Sequence, residues 1–174
     1  LVQNGQLRLH RLLAGAEGSL GLVTRLTLKL APRPPYDSLV VAYFDDIVSA
    51  ARAVQTVLPL KPAGIEVMDK SLLGLARATD DGLRSQIPAG IDNLLLIEFD
   101  AATAGEATQQ ARAALAGIAE DCREAHLAAS AADKARFWAV RKAAVPILYR
   151  LKGERKILAL VEDAVVPTDQ LVPY

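Results

Sequence analysis

Two stretches of this 174-residue chain carry residue types at spacings that could do chemistry. The first is Gly15-Ala16-Glu17-Gly18-Ser19-Leu20-Gly21-Leu22-Val23-Thr24. Glycines at 15, 18 and 21, leading straight into an alternating segment, make a turn whose backbone a ligand can approach without Cβ obstruction. Such turns offer backbone N–H groups to a phosphate or a ring carbonyl. By residue type alone the stretch is more often a plain turn before a strand. No Gly-Lys-Ser/Thr follows, which excludes a Walker loop, and no helix follows, which excludes a dinucleotide fingerprint. The second stretch is Phe137-Trp138-Ala139-Val140-Arg141-Lys142. Trp138 and Arg141 are three apart and share a helix face distinct from the Phe137/Val140 stripe. Arginine suits bidentate recognition of a carboxylate, and a neighbouring indole could hold its guanidinium plane. The plainer alternative is an amphipathic helix with a tryptophan at its edge and a solvated arginine.

The elements that must position these residues follow from periodicity. Leu22, Thr24, Leu26, Leu28 and Leu30 alternate with Arg25, Thr27 and Lys29, which predicts a strand with one buried side. Ala31-Pro32-Arg33-Pro34-Pro35 cannot pair in a central strand or continue a helix, so it marks a linker and a domain boundary. Beyond it, strands are predicted at 38–44, 63–68, 93–100, 124–129 and 157–161. Helices are predicted at 46–58, 70–78, 103–122 and from Ser130 through Leu151, with Pro146 inside the last. Residues 80–90, with two glycines, a proline and several charges, read as a loop. Thr103 and Glu106 form a capping box, and Ser130 with Asp133 caps the last helix. Strand–helix alternation of this kind gives an α+β or α/β sandwich, and connection lengths alone do not choose between them.

With these elements in place, the glycine-rich stretch resembles the G-[SA]-E-G-[ST]-L-G-[IV]-[IV]-T signature of the vanillyl-alcohol-oxidase/PCMH flavoprotein superfamily, although Leu22 stands where that signature has a β-branched residue. Leu28-Lys29-Leu30-Ala31-Pro32-Arg33-Pro34 is similar to the segment that closes the family's FAD-binding domain. The resemblance implies that Glu17, Gly18, Ser19, Gly21 and Val23 bind FAD. It also implies that residues 1–35 are the tail of an FAD-binding domain and its linker, and that 36–174 are part of an FAD-linked oxidase C-terminal domain. The expected fold is α+β, a ferredoxin-like antiparallel sheet with helices packed on one face, preceded by a residual strand of the FAD-binding domain.

Trp138-Ala139-Val140-Arg141 resembles the W-x-x-R helix of the FAD-linked oxidases that act on D-2-hydroxy acids. There the arginine holds the substrate carboxylate and a lysine about fifteen residues later assists it. The positions implied here are Arg141 and Lys156, and Glu162-Asp163-Ala164-Val165-Val166-Pro167 matches the family's following segment. The implied parent activity is oxidation of a lactate- or glycolate-like D-2-hydroxy acid by FAD. Electrons would leave through an iron–sulfur centre or a quinone, as in the long form with a C-terminal iron–sulfur domain. The family's H-x-H-x-G segment, which supplies metal ligands or a base, is expected after Tyr174, and the phosphate-binding part of the FAD domain before Leu1. Both ends therefore read as cut, and the piece is expected to fold without holding flavin or catalysing. An alcohol or sugar oxidase of the same superfamily and a non-catalytic α+β interaction domain are the alternatives.

Composition narrows the partners. Lysine plus arginine equals aspartate plus glutamate at 20 each, so the charge term that drives nonspecific nucleic-acid binding is missing. No apolar run approaches the roughly 20 residues of a membrane span. The lone Cys122 allows no intrachain disulfide and fits a reducing compartment, cytoplasmic or peripheral on the inner face of a membrane. No metal site is expected within the chain, since neither His10 nor His126 has a ligand partner at suitable spacing.

Overall fold

Asn93-Leu94-Leu95-Leu96-Ile97-Glu98-Phe99-Asp100-Ala101 has no polar alternation until Glu98 because both of its sides are buried. The computed structural model describes residues 2–79, 81–84, 87–149 and 164–174. Two compact units are distinguished, Leu1–Arg33 and Pro34–Tyr174.

In the first unit, β1 (Val2–Gln3) and β2 (Gln6–Leu7) form an antiparallel hairpin, followed by the single helical turn α1 (His10–Leu13). Asn4 and Gly5 both adopt positive φ, 52° and 72°, the requirement of a two-residue primed turn. The strand expected at 22–30 does not form. The segment makes no ladder with any described residue, and Leu22 and Leu30 are each 88% exposed. The alternation is present in the sequence, but a half-buried strand needs a neighbouring strand to satisfy its backbone and a layer to cover its leucines.

The second unit contains β3 (Tyr36–Phe44), α2 (Ile47–Val57), β4 (Gly64–Met68), α3 (Lys70–Thr79), α4 (Asp81–Arg84), β5 (Asn93–Ala101), α5 (Ala104–Ile118), β6 (Glu124–Leu127) and α6 (Ala131–Tyr149). A 3₁₀ turn follows α2 at Leu58–Leu60, and another lies at Thr168–Gln170. The four longer strands form one antiparallel sheet in the order β4-β5-β3-β6. With α2 and α5 as its connections this is a ferredoxin-like α+β sheet, as the sequence leads one to expect.

Capping fixes where the helices start. Asp46 accepts from the Ser49 N–H at 2.8 Å, and Thr103 with Glu106 completes a reciprocal capping box. Ser130 Oγ accepts from the Asp133 N–H at 3.1 Å. Residues 81–84, expected as loop, form one helical turn, and Ile87 and Ile91 beyond it are buried. Loop composition there was a guide to the ends of the segment rather than to its middle.

Helices cover both faces of the sheet, one more layer than the single-faced packing expected. Alanines of α2 and α5 meet Val40, Ala42, Phe44, Leu95, Ile97 and Phe99 on one face. On the other, α3 and α6 meet Leu39, Val41, Tyr43, Met68, Leu94 and Leu96, with Phe137 and Val140 supplied by α6. The predicted strand 157–161 lies outside the described residues.

Candidate functional site

The second face of the sheet changes character at one end. Asp37, Glu98 and Glu66 continue the inward-facing alternation of β3, β5 and β4, past Leu39, Leu96 and Met68 respectively. Three acidic side chains on neighbouring strands thus point to the side that α6 covers. From α6, Lys134, Trp138 and Arg141 come down on them, at helix spacings of four and three. The step from Lys134 to Arg141 rises about 10.5 Å along a helix. Three adjacent strands span about 9.6 Å. The match lets one stripe of α6 address one acid on each strand.

Each acid is engaged. Lys134 Nζ donates to the Asp37 carboxylate and, at 3.1 Å, to its carbonyl oxygen. Trp138 follows on the same stripe, and its indole favours the charged form of Glu98. Arg141 Nε donates to Glu66 Oε2 at 2.8 Å, with the two side chains 39% and 38% exposed. Burial pushes the Glu98 carboxyl above its ordinary value, and repulsion from Asp100 and Asp37 adds to this. Lys134 and the Trp138 indole act in the opposite direction.

The structure therefore gives Arg141 a partner that sequence reasoning missed. Phe137 and Val140 are buried as the stripe predicts, and Trp138 is partly buried against the same cluster. The cation–π contact found on this helix among the described residues is Arg136 over Phe137, 5.3 Å from the ring centroid. Parity along β4 was the available signal for Glu66. An acid two positions before a buried methionine on a short strand faces inward, and an acid withdrawn in part from water is stabilised by a cation. Lys156, Glu162 and Asp163 lie outside the described residues.

The glycine-rich stretch is an exposed turn. Ser19 donates from both its backbone N–H (2.8 Å) and its Oγ (2.6 Å) to the Ala16 carbonyl oxygen. Glu17 takes φ 47° and Gly18 φ 81°, while Gly15 and Gly21 are also positive. A Cβ built at Gly15, Gly18 or Gly21 meets nothing within 4 Å, so the backbone is open to approach. Leu20, Leu22 and Val23 are exposed beside it. An open backbone edge bordered by apolar side chains fits a flat ring with polar edges, as an isoalloxazine has. Glu17, Gly18, Ser19, Gly21 and Val23 would be the residues of this chain to hold it.

Other candidates carry less. His126 lies between Tyr43 and Phe137, with ring centroids 5.8 and 6.0 Å away, and so acts as a packing residue. Burial pushes the Cys122 thiol up, which suits a packed side chain and not a nucleophile. Among the described residues no three His, Cys, Asp or Glu side chains are grouped to hold a metal, and no helix is long and apolar enough to cross a membrane. A groove of about 520 Å³ runs between α2 and the segment Leu171–Tyr174. Its lining is apolar apart from Tyr174, so it offers no counter-charge for an acidic ligand.

Residues 33–174 match the family described as FAD linked oxidases, C-terminal domain. The chain belongs to that family. It is 32% identical over 145 residues to the glycolate oxidase subunit GlcD of Escherichia coli (strain K12), covering 82% of this chain and 28% of that protein. It is 30% identical over 182 residues to D-2-hydroxyglutarate dehydrogenase of Pseudomonas putida, covering 99% of this chain and 18% of that protein. GlcD of Bacillus subtilis is 28% identical over 167 residues, with 94% and 34% covered. The chain thus spans between 18% and 34% of the length of these curated relatives.

Proposed function

We propose that this chain contributes the carboxylate anchor and one edge of the flavin site to an FAD-dependent dehydrogenase of D-2-hydroxy acids. The observation that supports the anchor is Arg141. It is a guanidinium fixed by an ion pair at the rim of a packed face, yet 39% exposed. A fixed, reachable guanidinium is what a small carboxylate ligand needs, because its planar donors match the two carboxylate oxygens. Both named relatives act on 2-hydroxy acids by their names, glycolate in one case and D-2-hydroxyglutarate in the other.

In this reading Arg141 binds and orients the substrate carboxylate, with Lys156 as its electrostatic partner. Glu17, Gly18, Ser19, Gly21 and Val23 border the flavin. FAD supplies a two-electron acceptor for the hydride from the carbinol carbon. The hydroxyl proton passes to a base that the reading places outside the described residues, and the product is the 2-oxo acid. Electrons would leave to an iron–sulfur centre or a quinone. With Cys122 its only cysteine, this chain cannot supply the thiolate set of a cluster, so any such centre sits elsewhere. Residues 1–35 are read as the close of the FAD-binding domain and 36–174 as part of the substrate domain.

The test is flavin bleaching in the full-length FAD-loaded enzyme that contains this chain, against paired D- and L-2-hydroxy acids, with Arg141→Met beside the parent. D-lactate or glycolate should bleach the parent. The variant should lose at least about a hundredfold in kcat/KM, as expected when a charged partner of a carboxylate is removed. Unchanged turnover of hydroxy acids by Arg141→Met would reject the anchor and favour an alcohol or sugar substrate without a carboxylate.

A further inference from the structure

We propose that Glu66 is the positioning residue for Arg141: through the Nε–H it holds the guanidinium by one edge and, among the described residues, leaves the terminal edge to receive a carboxylate ligand. The proposal rests on the reading of Arg141 as the carboxylate anchor and adds the residue that aims it.

A guanidinium presents two carboxylate-sized edges, one formed by Nε with a terminal nitrogen and one by the two terminal nitrogens. Glu66 Oε2 accepts from Nε at 2.8 Å, so the side-on edge is committed to the protein. An incoming carboxylate is then directed end-on. The pairing joins residues 75 apart in sequence, one on α6 and one on β4. It therefore reports the docking of the helix across the sheet and not a local preference of either segment.

The neighbouring contacts support a positioning role. Lys134 on Asp37, with Phe137 and Val140 buried against the sheet, fixes the rotation of the same helix over the same strands. Arg141 thus approaches Glu66 from a stripe already set earlier along the helix. Glu66 itself sits directly across from Leu96, whose side chain is fully buried, so its backbone is held by the β4–β5 ladder. The pair is nonetheless not sealed, since both side chains are more than a third exposed. An arginine that is free at the surface would lose its side-chain freedom on binding, whereas one already held by Nε has lost it beforehand.

The experiment uses the full-length FAD-loaded enzyme that contains this chain and oxalate as a non-reacting carboxylate probe, with dissociation constants from calorimetry and steady-state kinetics on glycolate alongside. Glu66→Gln keeps an oxygen that accepts from Nε, so oxalate affinity and KM should stay within about threefold of the parent. Glu66→Ala removes the acceptor, so oxalate binding should weaken about tenfold or more, with KM rising by a similar factor. Rescue by glutamine is the readout that a merely structural role would not give, because a fold defect would follow the melting temperature of each variant and not the acceptor. Parent-like oxalate binding in Glu66→Ala, with binding lost in Arg141→Met, would overturn the proposal while leaving the anchor intact. Equal weakening in both Glu66 variants would also overturn it, since charge and not alignment would then be the cause. Parent-like oxalate binding in Arg141→Met would instead remove the anchor reading beneath it.

Discussion

The two faces of the sheet are built from different chemistry. On the α2/α5 face, alanines at 50, 53, 107, 111 and 114 bring the helices close to large sheet side chains such as Phe44 and Phe99. The buried residues there are apolar, with the Ser38 and Thr108 hydroxyls meeting at 3.5 Å towards one end. The α3/α6 face begins the same way and ends in a row of three acids met by Lys134, Trp138 and Arg141. One face holds the fold together, and the other positions charge at its rim.

The sharpest way to break the comparison is to weaken each face in turn. Phe99→Ala, on a fully buried side chain, should cost about 3–5 kcal/mol in urea unfolding. Lys134→Met, at the half-exposed pair with Asp37, should cost under about 1 kcal/mol, because the abandoned carboxylate is 40% exposed and can rehydrate. Similar costs for the two variants would show that the charged row is as structural as the apolar core.

A smaller effect tests how close the helices on the apolar face lie. A Cβ at Gly117 would come 3.3 Å from Thr56 Cγ2, and the Thr56 hydroxyl is tied to the Arg52 carbonyl oxygen at 3.2 Å. Gly117→Ala alone should therefore gain little of the roughly 1 kcal/mol that alanine offers inside a helix. Combined with Thr56→Ser, which removes the methyl, it should recover most of that gain. Thermal melts of the three variants give the answer, and full gain in the single variant would mean the helices sit further apart.

The smallest effect belongs to the charged face. Folding raises the Glu98 carboxyl above its ordinary value of 4.5, so the folded chain binds the proton more tightly than the unfolded chain. Stability is then fullest below that value, falls as pH rises through the raised value, and stays lower above it. Glu98→Gln should thus be more stable than the parent at pH 7, by about a degree or two in Tm. The difference should vanish at or below about pH 4. A variant less stable at neutral pH would show that the carboxylate's bonds to its neighbours outweigh its burial.

Much of the second unit was legible in the sequence because its signals are local. Asp46, Thr103 with Glu106, and Ser130 with Asp133 announce helix starts through bonds spanning three residues. The unbroken apolar run of β5 announces a strand covered on both sides, although the helices expected were those of one face only. The glycine-rich turn and the Trp138–Arg141 spacing located the candidate residues. The leucines of 22–30 show the limit, for alternation states a preference while a strand requires a partner.

What the tertiary structure alone decided is which acid faces which cation. Parity placed Asp37, Glu98 and Glu66 on the inward side of their strands, and helical spacing placed Lys134, Trp138 and Arg141 on one stripe. Neither pattern contains the strand order β4-β5-β3-β6 or the line along which α6 crosses it. Strand order comes from long-range pairing and helix docking from the packing of Phe137 and Val140 on the sheet. Both depend on residues distant in sequence, and only their sum brings Arg141 within 2.8 Å of Glu66.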